Sequence, residues 1–293
     1  MIAREDVGAW AALLRSDARV FDAERALTGS APSLRGADLA GLDLRKANIE
    51  GCDLTDANLS GCSADGRLLT RCRLERAQLS NVVVAEFWRP LLAQIEILWK
   101  GGAAWNAFRA GNRPAIFDSV DFRLADLGDA DLRGMVFTSA ILDGANLGRC
   151  NITETAFRGA SLVGARIEGA KFFATSFDES NLTNARFDRS TIERATFTGA
   201  NARGASFAFA EMIGGDWEGV IAPAACFDDA HLRETILIGA DLKSATFRRA
   251  HLAHVHFMDA VLDNAVFDEA HLDDCDLSQA RSEGASFQGT IGH

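Results

Sequence analysis

The sequence predicts an all-β solenoid with four sides, carrying short α-helical caps and a helical insertion between two repeat arrays. Three observations carry this. At every fifth position from Phe117 to Phe287 the residue is Leu, Ile or Phe, the exceptions being Ala202, Met212, Trp217, Ala222 and Ser282. Two residues before each of these centres stands a small side chain, nearly always Ala, with Met135 the one bulky departure. Steps of twenty sort the centres by type: Phe137, Phe157, Phe177 and Phe197 share one column with Phe117, while Phe187, Phe207, Phe227, Phe247, Phe267 and Phe287 share another. The columns between are mainly aliphatic, as in Leu232, Leu252 and Leu272.

A period of five is neither the 3.6 of a helix nor the 2 of a long strand. Within each unit, however, the order small-in, polar-out, large-in is strand alternation over three residues. The remaining two residues, often ending in Gly as at Gly144, Gly159, Gly164, Gly199 and Gly239, suit a tight turn. Each unit is therefore one short side and one corner, and four units close a coil. Stacked coils repeat at ~4.8 Å, so like residues twenty apart form ladders.

A solenoid exposes unpaired backbone and an apolar cross-section at each end, so its ends need covers. Residues 1–31 are read as an N-terminal helical cap, with Val7, Trp10, Ala11 and Leu14 at helical spacing over 5–15. Residues 32–84 form the first array, its centres running from Leu34 to Val84 with weaker fidelity around Ala64 and Arg67. Residues 85–114 abandon the period and predict a helix-turn-helix: Pro90 at a helix start, apolar residues through Trp99, then Gly101-Gly102, Trp105 and Phe108 before Pro114. Residues 115–293 form the second array. Its centres fall at numbers ending in 2 or 7, against 4 or 9 in the first, so the arrays are out of phase; two short β-helices joined by helices are expected, the alternative being one rod that carries a helical excursion. Trp217 lies between Ala202 and Ala222 on the adjacent side, which predicts volume compensation. The functional alternative is a surface break near Gly214-Gly215 and Pro223 that receives a partner.

The Ala-Asp-Leu, Ala-Asn-Ile and Ala-Arg-Phe triplets recur through 32–84 and 115–289. These A(D/N)LXX units resemble the pentapeptide repeat family, and the resemblance implies a right-handed quadrilateral β-helix. The segment Trp105-Asn106-Ala107-Phe108-Arg109 resembles the cap helix that precedes the array in many bacterial members.

Composition narrows the function. The chain has 41 acidic and 30 basic side chains, net −11, which disfavours non-specific binding to nucleic acid or an anionic membrane and favours basic partners or solubility. Glu5 and Asp6 stand where a signal peptide carries basic residues, so a cytoplasmic protein is expected. The most apolar window, Leu91 to Trp99, holds Gln94 and Glu96 and falls short of the ~20 residues of a membrane span. Cysteines 52, 62, 72, 150, 226 and 275 show no CxxC pair, and all but Cys226 occupy the small inward position. They read as core residues. Cys52 and Cys72 are twenty apart and stack closely enough to oxidise, but a reducing compartment argues against a disulfide.

No nucleophile motif, phosphate loop or zinc spacing is present, so no catalytic, cofactor or metal residue is assigned. His231, His251 and His271 share an outward column, with His254 and His256 close by. Adjacent imidazoles suit a metal, yet the outer two stand ~9.6 Å apart, too far to share one zinc at ~2.1 Å per bond; a solvated ladder is expected. Asp259, Asp263, Asp268, Glu269, Asp273, Asp274 and Asp276 follow one another without an intervening Lys or Arg, as in a soluble terminal coil or an electrostatic surface for a basic protein groove. Ile236 and Ile238 flank Leu237, with Met258 one layer above Ile238, which predicts a small apolar patch. With Trp88 and Trp99 of the helical insertion, these residues are the partner-binding candidates.

The leading expectation is a non-enzymatic scaffold that presents a rigid rod to a protein partner, a homodimer being one form of such contact. Family resemblance supplies two alternatives: a DNA-mimic modulator of DNA gyrase or topoisomerase IV of the quinolone-resistance type, and an accessory protein of a bacterial secretion system. An enzyme needs a concave pocket with convergent polar groups, and a filled solenoid is expected to offer none apart from a crevice between the arrays.

Overall fold

The computed structural model describes residues 2–112 and 115–292; Pro114, the expected stop of the second inserted helix, lies outside them. The chain forms two compact units, Met1–Lys100 with Ser119–Arg123, and Gly101–Asp118 with Leu124–His293.

In the first unit, α1 (Val7–Ser16) begins where the Asp6 carboxylate accepts from the Ala9 amide at 3.0 Å, and it buries Trp10, Ala11 and Leu14. Asp17 ends α1 and also caps α2 (Ala18–Thr28), accepting from the Arg19 amide at 2.8 Å. The ring of Trp10 meets Phe21 edge-on at 5.5 Å. This pair of helices covers the array's first edge with donors. Arg15 donates to the Asp38 carbonyl, and Arg25 to the carbonyls of Asn48 and Glu50, groups that would otherwise lack partners.

Coils of the first array pair in parallel at a spacing of twenty, through Ser33 with Asp53, Asp38 with Asn58 and Asp43 with Ser63. The run of centres expected to be continuous is interrupted by α3 (Gly66–Thr70), in the stretch where the repeat weakens. Asp65 caps α3 by accepting from the Arg67 amide at 2.8 Å, while Leu69 stays fully buried, so one inward centre is kept from a helix. A 3-10 turn (Glu86–Trp88) leads into α4 (Arg89–Leu98), with Pro90 in its first turn and Leu92, Ile95 and Leu98 buried.

The second unit opens with α5 (Gly102–Arg109). The Trp105 indole donates to the Asp131 carbonyl at 2.9 Å, Asn106 both donates to the Asp129 carbonyl and accepts from the Asp131 amide, and Arg109 donates to the Arg133 carbonyl. Gly102 is required at this close approach, since a Cβ there would lie 2.1 Å from the Gly128 carbonyl oxygen.

Coils then stack in register. Six three-residue strands, β1 (Lys171–Phe173), β2 (Thr191–Glu193), β3 (Glu211–Ile213), β4 (His231–Arg233), β5 (His251–Ala253) and β6 (His271–Asp273), form one parallel sheet in sequential order. Each pairs with the next at a spacing of twenty. Their middle residues are buried and their outer two face solvent to varying degrees. The phenyl columns are stacks: Phe137 to Phe157 at 5.2 Å and 6°, Phe157 to Phe177 at 5.0 Å and 5°, Phe247 to Phe267 at 4.7 Å and 1°. Between columns the rings meet edge-on, as in Phe177 with Phe187 at 87°, the other favoured aromatic geometry. The fold is thus a four-sided parallel β-solenoid with a filled core. Among the described residues no helix is long and apolar enough to cross a membrane.

Candidate functional site

Because inward positions are filled by ladders, the chemistry available to this chain sits on the outward ones. The sheet face of β3–β6 gathers the most distinctive set. His231, His251 and His271 open successive strands, their ring centroids 4.8 and 4.6 Å apart. Register places Glu211 beside His231, and brings Ile213, Arg233, Ala253 and Asp273 into a second outward column. A groove of about 360 Å³ lies over β3–β5 between them. Burial, and then the neighbouring imidazoles, lower the proton affinity of His251 below that of an ordinary histidine. Nearby, Nδ1 of His254 stands 3.3 Å from Asp274. Among the described residues no group of three or more His, Cys, Asp or Glu is arranged to hold a metal ion.

The acidic run is less bare than its sequence. Arg281, from the following coil, donates to Asp263 and holds that carboxyl below the usual carboxylate range. Asp268 accepts from Ser286 Oγ and from the Gln288 amide, and Asp276 accepts from the Ser278 amide at 2.8 Å. Several of these acids therefore tie one coil or turn to the next. Glu269, Asp273 and Asp274 remain exposed.

Ile236, Ile238 and Met258 are half-buried on one face. Larger apolar exposures occur at Phe173, Phe209 and Ile221, which sequence reasoning missed. The signal was there: Ile221 breaks the polar-out rule of its unit, and Phe173 and Phe209 put a large apolar ring in the two residues that the repeat leaves for the turn. The Arg189 guanidinium covers the Phe209 ring at 5.1 Å.

Trp88 and Trp99 belong to the packing of the first unit. A Cβ on Gly66 would lie 2.3 Å from the Trp88 ring, so the indole sits directly on α3. Trp99 meets Phe122 at 5.9 Å and lies 6.0 Å from the Arg73 guanidinium. Both residues are partly buried by these contacts.

The expected compensation at Trp217 takes a definite form. The indole is fully buried, stacked on Phe197 at 3.8 Å and edge-on to Phe207 at 5.1 Å, with Ala202 and Ala222 also fully buried. The alternative, a surface break near Gly214-Gly215 and Pro223, is corrected. The ladder runs through it: the Asp216 amide donates to Ala195, the Gly204 amide to Pro223 and the Ile236 amide to Gly215, at 3.0 to 3.2 Å. Backbone pairing is continuous through this stretch.

All six cysteines are free, and Cys52, Cys62, Cys72 and Cys150 are buried. Burial pushes the thiols of Cys52 and Cys150 up to about 12 and that of Cys62 to about 11, which makes them poor nucleophiles.

Comparison with known proteins agrees with this architecture. A family model described as Pentapeptide repeats matches in eight copies, within residues 31–83, 115–216 and 225–264. Similar solved structures include HetL, a pentapeptide repeat protein involved in heterocyst differentiation regulation from the cyanobacterium Nostoc sp. strain PCC 7120, at 19% identity over 92% of this chain and 94% of that one, TM-score 0.30. QnrB1, a plasmid-mediated fluoroquinolone resistance protein, is similar at 16% identity over 61% of this chain and 92% of that one, TM-score 0.32. Rfr23 from the cyanobacterium Cyanothece 51142 is similar at 18% identity over 45% of this chain and 91% of that one, TM-score 0.22. No curated protein matches the chain. With the repeat model covering well over half of its residues and the four-sided coil that the repeat builds, the chain belongs to the pentapeptide repeat family.

Proposed function

We propose that this protein is a non-enzymatic interaction scaffold whose second unit presents its outward columns to a protein partner. The observation that carries the reading is the core itself. Phe157, Phe177, Phe187, Phe197, Phe207 and Trp217 fill the interior, and filled interiors leave only the surface free to vary as a recognition element. The half-buried face of Ile236, Ile238 and Met258 is the proposed contact, with Asp273 and Asp274, at the end of β6 and in the turn that follows it, as its charged flank for a basic partner.

Affinity capture with the full chain, read by crosslinking and mass spectrometry, tests this. One specific partner is expected, and Ile236→Lys together with Ile238→Lys is expected to abolish its capture while leaving the melting temperature unchanged. Capture indifferent to these charges removes the proposed face. The net charge of −11 keeps a second reading in view, inhibition of a topoisomerase by an acidic rod; a supercoiling assay with and without fluoroquinolone distinguishes it from the scaffold reading.

A further inference from the structure

The imidazole column on β4–β6 has a chemistry that a scaffold does not use. His231, His251 and His271 are exposed, and their ring planes are inclined by 48° in the lower pair and 20° in the upper. The charged groups around them come from several elements. Glu211 on β3 is next to His231 in register, Arg233 on β4 and Asp273 on β6 lie two residues along on the same face, and Glu234, His254 and Asp274 follow in the turns. Of the cations nearby, Arg233 is 3.5 Å from the Glu234 carboxylate, and Arg249, in the turn before His251, is paired with Asp229 at 2.6 Å.

We propose that adjacent histidines of this column bind one divalent transition-metal ion of the zinc class, with His251 a ligand in whichever pair is used. Two Zn–N bonds of ~2.1 Å span at most ~4.2 Å, so the outer two histidines, two coils apart, cannot share an ion. Neighbours can. Their ring centroids stand 4.8 and 4.6 Å apart, close enough that rotation about the side-chain torsions of two exposed histidines on paired strands brings one nitrogen of each to a common ion. The 48° inclination of His231 to His251 shows that the rings are not locked flat against each other. Two imidazoles leave the remaining positions of a four-coordinate ion to water, so the site is an open one, with fewer protein ligands than the four of a structural zinc. Charge favours a cation here: the chain is net −11, and Glu211 and Asp273 flank the column.

The test titrates Zn²⁺ alone into the full chain at pH 7.5, by calorimetry and by imidazole NMR. One ion per chain is expected. His251→Gln belongs to both pairs and is expected to weaken binding at least about tenfold. His231→Gln and His271→Gln each leave one pair and are expected to bind within about threefold of the original chain, whereas the double substitution matches His251→Gln. Acidification to pH 5.5 is expected to abolish binding, because protons compete for the same nitrogens. The substituted side chains are exposed, so the melting temperature serves as the folding control. An absence of binding overturns the proposal, as does binding that survives His251→Gln. Loss on His254→Gln alone moves the ion to the His254 and Asp274 pair and likewise overturns it.

Discussion

In the first array the inward centres are aliphatic, as at Leu34, Leu39, Leu44, Ile49, Leu54 and Leu59, and the small positions hold Cys52, Cys62 and Cys72; in the second, phenyl rings predominate in two of the four columns, interrupted by Trp217, Leu237 and Leu277 in one and preceded by Leu127, Leu147 and Ile167 in the other. The aliphatic array admits the helical turn α3, whereas among the described residues from Leu124 onward the phenyl array runs without a helix. The difference follows from packing. Branched aliphatic side chains repack around an altered coil at modest cost. Rings stacked at 4.7 to 5.2 Å within a few degrees of parallel gain from orientation as well as burial, so an insertion that turned one ring would disturb two neighbours.

The largest expected effect breaks that ladder. Phe207 is fully buried, stacked on Phe187 at 4.8 Å and Phe227 at 5.0 Å, and edge-on to Trp217. Phe207→Ala is expected to cost about 3 to 5 kcal/mol in urea unfolding. The informative control is Phe207→Leu beside Leu54→Ile in the first array. If stacking matters beyond volume, the ring-to-aliphatic change costs more by about 0.5 to 1.5 kcal/mol; equal losses would reduce the phenyl columns to plain filling.

Next comes the irregular layer. Ala202→Leu restores the aliphatic residue that the column lacks, but it meets a core already occupied by Trp217, and overpacking of this kind costs about 1 to 3 kcal/mol. Trp217→Phe in the same chain is expected to recover most of it, because it returns the volume and removes a buried indole N–H that has no hydrogen-bond partner among the described residues. Additive losses in the double-mutant cycle would show that the two sites do not share space.

A smaller effect distinguishes two kinds of glycine. Gly215 has φ +107°, and a Cβ there would lie 2.5 Å from the Ala195 carbonyl oxygen; Gly199 has φ +64° and open space around it. Gly215→Ala is expected to destabilise by more than about 1 kcal/mol. Gly199→Asn is expected to be nearly neutral, since residues such as Asn184, Asn264 and Arg149 already take the same left-handed corner. Thermal melts of the two variants, side by side, read the contrast.

Those corners mark the limit of what the sequence disclosed. The ladders of Phe117, Phe137 and Phe157 were legible because burial repeats with the coil, and the helices around Trp10, Leu92 and Trp105 because their apolar spacing leaves the period. The residues that close the ends were not. Arg15, Arg25, Asn106 and Arg109 donate to carbonyls more than twenty residues away, and no local pattern encodes such a pairing. The corners also defeat a rule based on glycine, because stacking fixes the turn and overrides the side chain's preference at Ser139, Glu154 and Phe209. At the candidate site the histidine column was readable from spacing alone. The neutralisation of Asp263 by Arg281 was not, since it joins successive coils across eighteen residues.

The weakest expected effect separates the arrays by pH. In the first, Arg45 holds the Asp43 carboxyl down to about 2, chiefly through their side-chain hydrogen bonds. A depressed carboxylate contributes stability above the unfolded pKa of ~3.9 and loses it as pH falls toward the folded value, so this pair is silent between pH 7 and 5. In the second, His251 binds its proton less readily folded than unfolded. The unfolded chain then takes up more protons near pH 6.5, and stability falls as pH drops through that region. Glu211 and Asp273 on the same face oppose the loss by attracting the charged ring, and the side chain is exposed, which keeps the effect small. NMR titration is expected to place His251 below the ordinary histidine range, and to move it upward in His231→Gln and in His271→Gln. A midpoint indifferent to both substitutions would mean that the imidazoles do not sense one another, and the column would lose its distinction from isolated surface histidines.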